Sequence, residues 1–254
     1  MDLKLIMDVV YNHTNASGVN DKSVLDKIVP GYYHRLNVNT GGVENSTCCD
    51  NTATENLMMG KLMVDSLKVW ADDYKVDGFR FDLMGHQPKD VMVEALAEVR
   101  KIDENTLFYG EGWDFGEVAD NARFDQANQI NMAGTEIGTF SDRLRDAVRG
   151  GSPFDGGVDS EGNHPLRFNQ GFGNAAIANE ETKVDQDSIN GRLHNQDLVR
   201  LGMAGNLAEY VLIDYKGDTK LGKNVDYNGA PAGYTKMPSE NISYVSKHDN
   251  QTLW

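Results

Sequence analysis

Four acidic residues, Asp8, Asp82, Glu111 and Asp249, each sit at the end of a short, largely apolar run. Acids placed this way can do carboxylate chemistry. Cleaving an acetal needs one carboxyl kept protonated to assist the departing oxygen, and one kept ionised to attack or shield the cationic centre. Arg80, two positions before Asp82, favours the ionised form there, while Gly110, Gly112 and Trp113 offer Glu111 an apolar niche that favours the protonated form. Asp8 is expected to pair with Arg80 and hold its guanidinium in place. His13 and His248 can donate hydrogen bonds to hydroxyl groups, and Trp113 can present a flat apolar face. Read singly, each of these residues has a plainer role as a loop cap or a core aromatic. Spacing alone gives an acidic, polar cluster of strand ends and names no reaction.

The elements that would position them follow a regular order. Leu3 to Val10 reads as a buried strand that delivers polar groups at its C-terminal end, through Asp8-Val9-Val10-Tyr11-Asn12-His13. Thr52-Ala53-Thr54-Glu55 offers a capping box for a helix with Met59, Met63, Leu67, Trp70 and Tyr74 on one stripe. The alternation in Val76 to Leu83 puts Phe79, Phe81 and Leu83 on one strand face and Arg80 with Asp82 on the other. Pro88 opens a second helix with Met92, Leu96, Val99 and Ile102 inward, and Leu107 to Glu111 is the next strand. Strand, helix, strand, helix, strand is a parallel α/β pattern, in which reacting groups gather at the strands' C-terminal ends. Further on, a helix is expected from Ser141 to about Val148, closed by Gly150-Gly151. Another is expected around Leu198 to Tyr210, and a last strand from Ile242 to Ser246. No repeat or linker divides the chain, so residues 1–254 read as one domain with long loops and no second domain.

Bulk properties exclude more than they select. With 24 basic against 39 acidic residues the formal charge is −15, which repels phosphate backbones and anionic lipid and suits a neutral partner. No run approaches the ~20 apolar residues of a membrane-spanning helix. The first ten residues carry no secretion signal. The adjacent Cys48 and Cys49 rule out a disulfide framework and a two-by-two zinc arrangement. They read as two quiet thiols in a loop, with a vicinal disulfide as the alternative. The Asn/Asp-rich loops offer hard oxygen ligands suited to a structural calcium, and oligomeric state is not written in these features.

Taken together, four segments resemble, in order, the signature segments of the α-amylase superfamily. They are Asp8-Val9-Val10-Tyr11-Asn12-His13-Thr14, Gly78-Phe79-Arg80-Phe81-Asp82-Leu83-Met84-Gly85, Gly110-Glu111-Gly112-Trp113-Asp114 and Tyr244-Val245-Ser246-Lys247-His248-Asp249-Asn250. Leu-Met-Gly after Asp82 and Gly-Trp-Asp after Glu111 are similar to pullulanases and limit dextrinases, as are the stretches Gly41 to Asn51 and Gly138 to Gly157. The resemblance implies a retaining hydrolase of α-1,6-glucosidic branch links in an α-glucan, with no cofactor for the chemistry. Asp82 would be the nucleophile, Glu111 the general acid/base and Asp249 the acid that steadies the transition state. His13, Arg80 and His248 would contact the cleaved sugar and Trp113 the leaving-group sugar, with Asp8 and Asn12 as structural support of the site. Retention implies that the Asp82 and Glu111 carboxyl groups lie ~5–5.5 Å apart.

The resemblance also implies a partial (β/α)8 barrel, with about strands three to seven present and the first two and last βα units missing. Such a fragment is expected to expose strand edges and to aggregate or be inactive alone. The bacterial parent is expected outside the cytoplasm. His86 departs from the family, where an aromatic residue is common after this Leu-Met-Gly. Three rivals remain open: an isoamylase or α-1,4-acting neopullulanase, a glycan-binding protein on the same fold without turnover, and a metal-dependent barrel enzyme. The last is disfavoured by the scarcity of histidines at strand ends.

Overall fold

Residues 3–150, 171–173 and 186–248 are described by the computed structural model. The chain packs as two compact units, Met1–Thr139 and Phe140–Trp254. The first contains β1 (Ile6–Val9), β2 (His13–Thr14), α1 (Leu25–Ile28), β3 (Asp50–Asn51), α2 (Leu57–Asp72), β4 (Gly78–Phe81), α3 (Lys89–Val99) and β5 (Leu107–Gly110), and β6 (Gly138–Phe140) lies at its end. Its sheet runs in the order β1-β4-β5-β6. Every pairing within it is parallel: Asp8 stands beside Arg80, Arg80 beside Tyr109, and Tyr109 beside Gly138. The alternating helix and strand pattern therefore yields the parallel α/β sheet expected of it.

The helices pack as their apolar spacing requires. Met59, Met63 and Leu67 of α2 are buried, as are Met92, Leu96 and Val99 of α3, and together with Phe79, Phe81 and Phe108 most of them form one core. Three phenylalanine rings meet there, Phe81 and Phe108 with centroids 4.9 Å apart and Phe79 edge-on to Phe108 at 5.6 Å. Fully burying one such side chain contributes ~1.5–3 kcal/mol before chain entropy is counted.

Four local expectations change. The first strand is shorter and less buried than expected, since β1 covers Ile6–Val9 and Leu3, Leu5 and Val10 are exposed. The capping box does not form: α2 starts at Leu57 after Asn56, and the Thr54 hydroxyl is turned to the Gln87 carboxamide. A buried acceptor outcompeted the helix end. Tyr74 lies beyond the end of α2 and is exposed, though its ring still packs on Trp70 at 4.5 Å. Leu83 does not continue the face of Phe79 and Phe81, because β4 ends at Phe81 and Leu83 adopts a left-handed conformation with φ of 43°.

The second unit holds α4 (Asp142–Arg149), α5 (Gln186–Met203), β7 (Val211–Ile213), β8 (Thr219–Leu221), β9 (Asp226–Tyr227), β10 (Ala230–Pro231) and β11 (Asn241–Ile242). α4 starts where expected, with the Ser141 hydroxyl accepting from the Leu144 amide at 3.3 Å, and stops at Gly150 with φ of 90°. α5 begins twelve residues before the expected Leu198 and ends at Met203. Its weak amphipathicity hid the first turns. Gly202 allows α5 to approach α4 closely, since a Cβ there would lie 2.8 Å from that of Leu144. Arg143 lies across the rings of Tyr227 and Tyr234, 4.9 and 4.6 Å from their centroids. Tyr227 also donates to Asp146, which pairs with Arg145, each at 2.6 Å. The last strand is shorter than expected, covering only Asn241 and Ile242.

Candidate active site

Register brings the signature residues of the first unit together. Side chains two apart on a strand share a face, and partners across a parallel ladder point the same way. With Asp8 opposite Arg80 and Phe81 opposite Gly110, the residues just past the strand ends, Asp82 and Glu111, emerge side by side on the face of Arg80. Arg80 joins all three acids. One guanidinium nitrogen, Nη1, donates to Asp8 Oδ1 at 2.8 Å and to Asp82 Oδ1 at 3.0 Å, while Nη2 donates to Glu111 Oε1 at 2.5 Å.

Arg80 and Glu111 are buried, Asp82 is half-buried and Asp8 is exposed. Burial alone would pull the guanidinium pKa down, but the charge of Glu111 and the hydrogen bonds to Asp8 and Asp82 outweigh it and hold the pKa above its ordinary value. The cation is permanent. Tyr109, next to Arg80 in the register, is pushed up by burial and the Asp8 charge against the opposing pull of Arg80. Nothing in the sequence had drawn attention to Tyr109, and only the ladder register could have done so.

Glu111 has donors around it where an apolar niche was expected. Its second oxygen, Oε2, accepts from the Leu83 backbone amide at 2.8 Å, and its carbonyl accepts from the Gly85 amide at 2.9 Å. Leu83 can aim its N–H there because of its left-handed turn, a conformation that costs a non-glycine residue ~1–2 kcal/mol. Strain of this kind gathers at sites that need a fixed geometry. Two glycines permit the close approach. A Cβ on Gly110 would lie 2.5 Å from the Phe81 carbonyl, and one on Gly85 2.0 Å from that of Trp113.

The flanking residues are also held. Trp113 stands edge-on to Phe115 at 6.1 Å, and the following Asp114 accepts from Gln126 at 2.7 Å and Asn128 at 3.1 Å. His13 lies in β2, opposite Asn51 of β3, with its Nδ1 2.7 Å from the carboxamide of fully buried Asn12. His248 is exposed and belongs to the second unit. Asp249 lies outside the described residues.

A buried ionic network, missed from the sequence, ties Arg35 to Glu55, Glu117 and His86. Arg35, 1% exposed, donates twice to Glu55 and once to Glu117, each at 2.8 Å, and to the His86 carbonyl at 2.9 Å. Glu117 also accepts from Ser46 and Asn51. Burial alone would raise its pKa, but the bonds from Arg35 and Ser46 override that and hold it at about 2. His86 stacks on Phe115, its planes 3° from parallel, and burial depresses its pKa to about 4. No sequence periodicity marks Arg35, which belongs to a loop. Cys48 and Cys49, read as quiet thiols, are joined as a vicinal disulfide.

No family model matches the chain. It is 55% identical, over its whole length, to 22% of a pullulanase from Klebsiella aerogenes. It is 44% identical, over 99% of its length, to 26% of the chloroplastic pullulanase 1 of Arabidopsis thaliana. Among solved structures it superposes on the maltotriose complex of PulA from Klebsiella pneumoniae with a TM-score of 0.90 and 55% identity, covering 99% of this chain and 26% of the other. The chain thus spans about a quarter of the length of the relatives it matches.

Proposed function

We propose, from the premise that this chain belongs by sequence to the pullulanases, that it carries catalytic groups of a retaining α-1,6-glucosidase acting on branched α-glucans. One observation supports the reading above the others: a single guanidinium, that of Arg80, bridges the Asp82 and Glu111 carboxylates and turns both toward one point. A two-carboxylate mechanism requires such convergence.

On this reading Asp82 attacks the anomeric carbon as the bond to the leaving oxygen breaks, and Glu111 gives its proton to that oxygen. A β-glucosyl ester on Asp82 results. Water then attacks the same carbon, Glu111 takes the water's proton, and Asp82 leaves with its electron pair, so the anomeric configuration is retained. Asp249 is assigned to the transition state from its sequence motif. His13 and His248 are assigned to the cleaved sugar, with Arg80, and Trp113 to the leaving sugar. The parallel order of β1, β4, β5 and β6 is consistent with a partial (β/α)8 barrel. Among the described residues no helix is long and apolar enough to cross a membrane, and the proposed setting of a bacterial parent is outside the cytoplasm.

Product analysis on pullulan tests the substrate reading. Maltotriose as the product supports α-1,6 cleavage, whereas panose would transfer the assignment to an α-1,4-acting relative. A mechanism-based fluorosugar should leave a glycosyl ester on Asp82, located by peptide mass spectrometry. Hydrolysis of pullulan that persists at wild-type rate in Asp82→Asn would defeat the mechanism.

A further inference from the structure

His13 meets two adjacent cysteines far from it in sequence: the ligand atoms of His13, Cys48 and Cys49 all lie within 4.8 Å of one another. The β2–β3 pairing makes this happen, since His13 faces Asn51 and the two cysteines come two and three residues before it. Cys48 is exposed and its two companions are half-buried, so both an ion and a reductant can reach them. The imidazole is held at Nδ1 by Asn12, whose backbone carbonyl is in turn bound by the Thr52 amide at 2.9 Å. A histidine that ligates through Nε2 keeps its proton on Nδ1 and needs an acceptor there; half a turn of the Asn12 carboxamide about Cβ–Cγ supplies one, since its buried Oδ1 has no other partner.

Joined as a disulfide, the sulfurs offer no thiolate. Once separated, two thiolates and one imidazole make the donor set of a zinc site with one coordination position left open. We propose that His13, Cys48 and Cys49 form a redox-gated site for a soft or borderline divalent cation, zinc being the ion its donors suit best. A phosphine reductant opens the site. It supplies two electrons to cleave the S–S bond and takes an oxygen atom from water to become the phosphine oxide, and the two protons of that water pass to the sulfurs. Zinc then displaces both thiol protons into solvent. The ion holds the imidazole away from the sugar and blocks turnover. This blocking step rests on the assignment of His13 to the cleaved sugar, whereas the metal site does not.

The test titrates cobalt, as a coloured probe, and then zinc into the full protein before and after phosphine reduction. The expected result is one tightly bound equivalent, with a thiolate-to-cobalt charge-transfer band, in the reduced protein only. The band is lost in a Cys48→Ser, Cys49→Ser double variant and in His13→Ala, and Asn12→Ala weakens zinc roughly 10–100-fold. Pullulan hydrolysis by the reduced protein should fall with zinc and recover with a chelator, while the double serine variant keeps its rate in zinc. Equal binding by the oxidised protein, or an unchanged band in the serine variant, overturns the site. Binding that leaves hydrolysis untouched sustains the site and overturns the blocking step. A protein of pullulanase length carrying this chain that never hydrolyses pullulan defeats the functional reading, and the cobalt band still decides the metal site.

Discussion

Arg80 reaches Glu111 at 2.5 Å through Nη2 while Nη1 of the same group serves Asp82 and Asp8. Only a planar fork can do both, because an ammonium is a single point of charge on a flexible stem. Arg80→Lys is therefore expected to keep the positive charge but release one carboxylate from register. The predicted cost is roughly 100-fold in kcat/KM on pullulan, with far-ultraviolet circular dichroism unchanged. Arg80→Ala removes the charge from buried Glu111 altogether and should destabilise the fold by about 3–5 kcal/mol, read from urea unfolding. A lysine variant with wild-type kinetics would mean that the bridge does not position the acids.

Gly85 donates to the Glu111 carbonyl, and a Cβ there would lie 2.0 Å from the Trp113 carbonyl and 2.9 Å from the Phe115 ring. Backbone cannot yield as a flexible side chain can. Gly85→Ala is expected to cost ~1–3 kcal/mol of stability and to push the segment from Glu111 to Phe115 away from Asp82. Activity should fall by more than stability explains at a temperature where the variant is fully folded. Wild-type activity in a folded Gly85→Ala protein would show that the contact with the Trp113 carbonyl is not needed.

Much of this arrangement is legible in the sequence, and the reason is periodicity. Phe79, Phe81 and Arg80 obey strand alternation, and Met63, Leu67, Met92 and Leu96 obey helical spacing, so both the core and the face carrying Asp82 follow from local pattern. The pairing of Asp8 with Arg80 followed from charge on neighbouring strands. What escaped depends on loops. The amide that Leu83 offers Glu111 needs a left-handed residue, and nothing in the side chain of a leucine advertises it. Arg35 and Glu117 are separated by eighty-two positions and meet only because the loops bearing them fold together. The early start of α5 was missed because its first turns carry little apolar pattern, and the disulfide because adjacency in sequence does not decide redox state.

The ion pair between Arg35 and Glu117 makes a prediction in acid. Glu117 is held at about 2 against an ordinary 4.5. A carboxylate whose folded pKa is depressed contributes stability that is complete above the unfolded value and is lost as pH falls through the folded one. The window is therefore between about 4.5 and about 2, with on the order of 2–3 kcal/mol at stake. Glu117→Gln should be less stable than the wild type at neutral pH, and the gap in urea midpoints should close as pH approaches the lower limit. A gap that stays constant with pH would show that Glu117 contributes through packing, not charge.

His86 gives the complementary case at higher pH. Its ring is fully buried against Phe115, with Thr47 on Nε2 at 3.0 Å, and Glu117, Arg35, His13 and Glu55 are the charged or titratable groups acting on it. Burial is the largest influence and keeps the imidazole neutral, with Arg35 and His13 adding to it and Glu117 and Glu55 opposing, so the folded pKa is about 4 against an ordinary 6.5. Between those values the unfolded chain binds a proton that the folded chain refuses, so stability must fall as pH drops from about 6.5 to about 4 and level off below, by up to ~3 kcal/mol for this group. His86→Phe keeps the stack and cannot titrate. Relative to the wild type it should gain stability across that window and hold a constant difference below it, a pattern separable from that of Glu117 because the two windows barely overlap. Urea midpoints of both proteins at successive pH values provide the measurement. Parallel curves would mean that the folded protein protonates His86 as readily as the unfolded chain does, and the dry stack against Phe115 would not exist in solution.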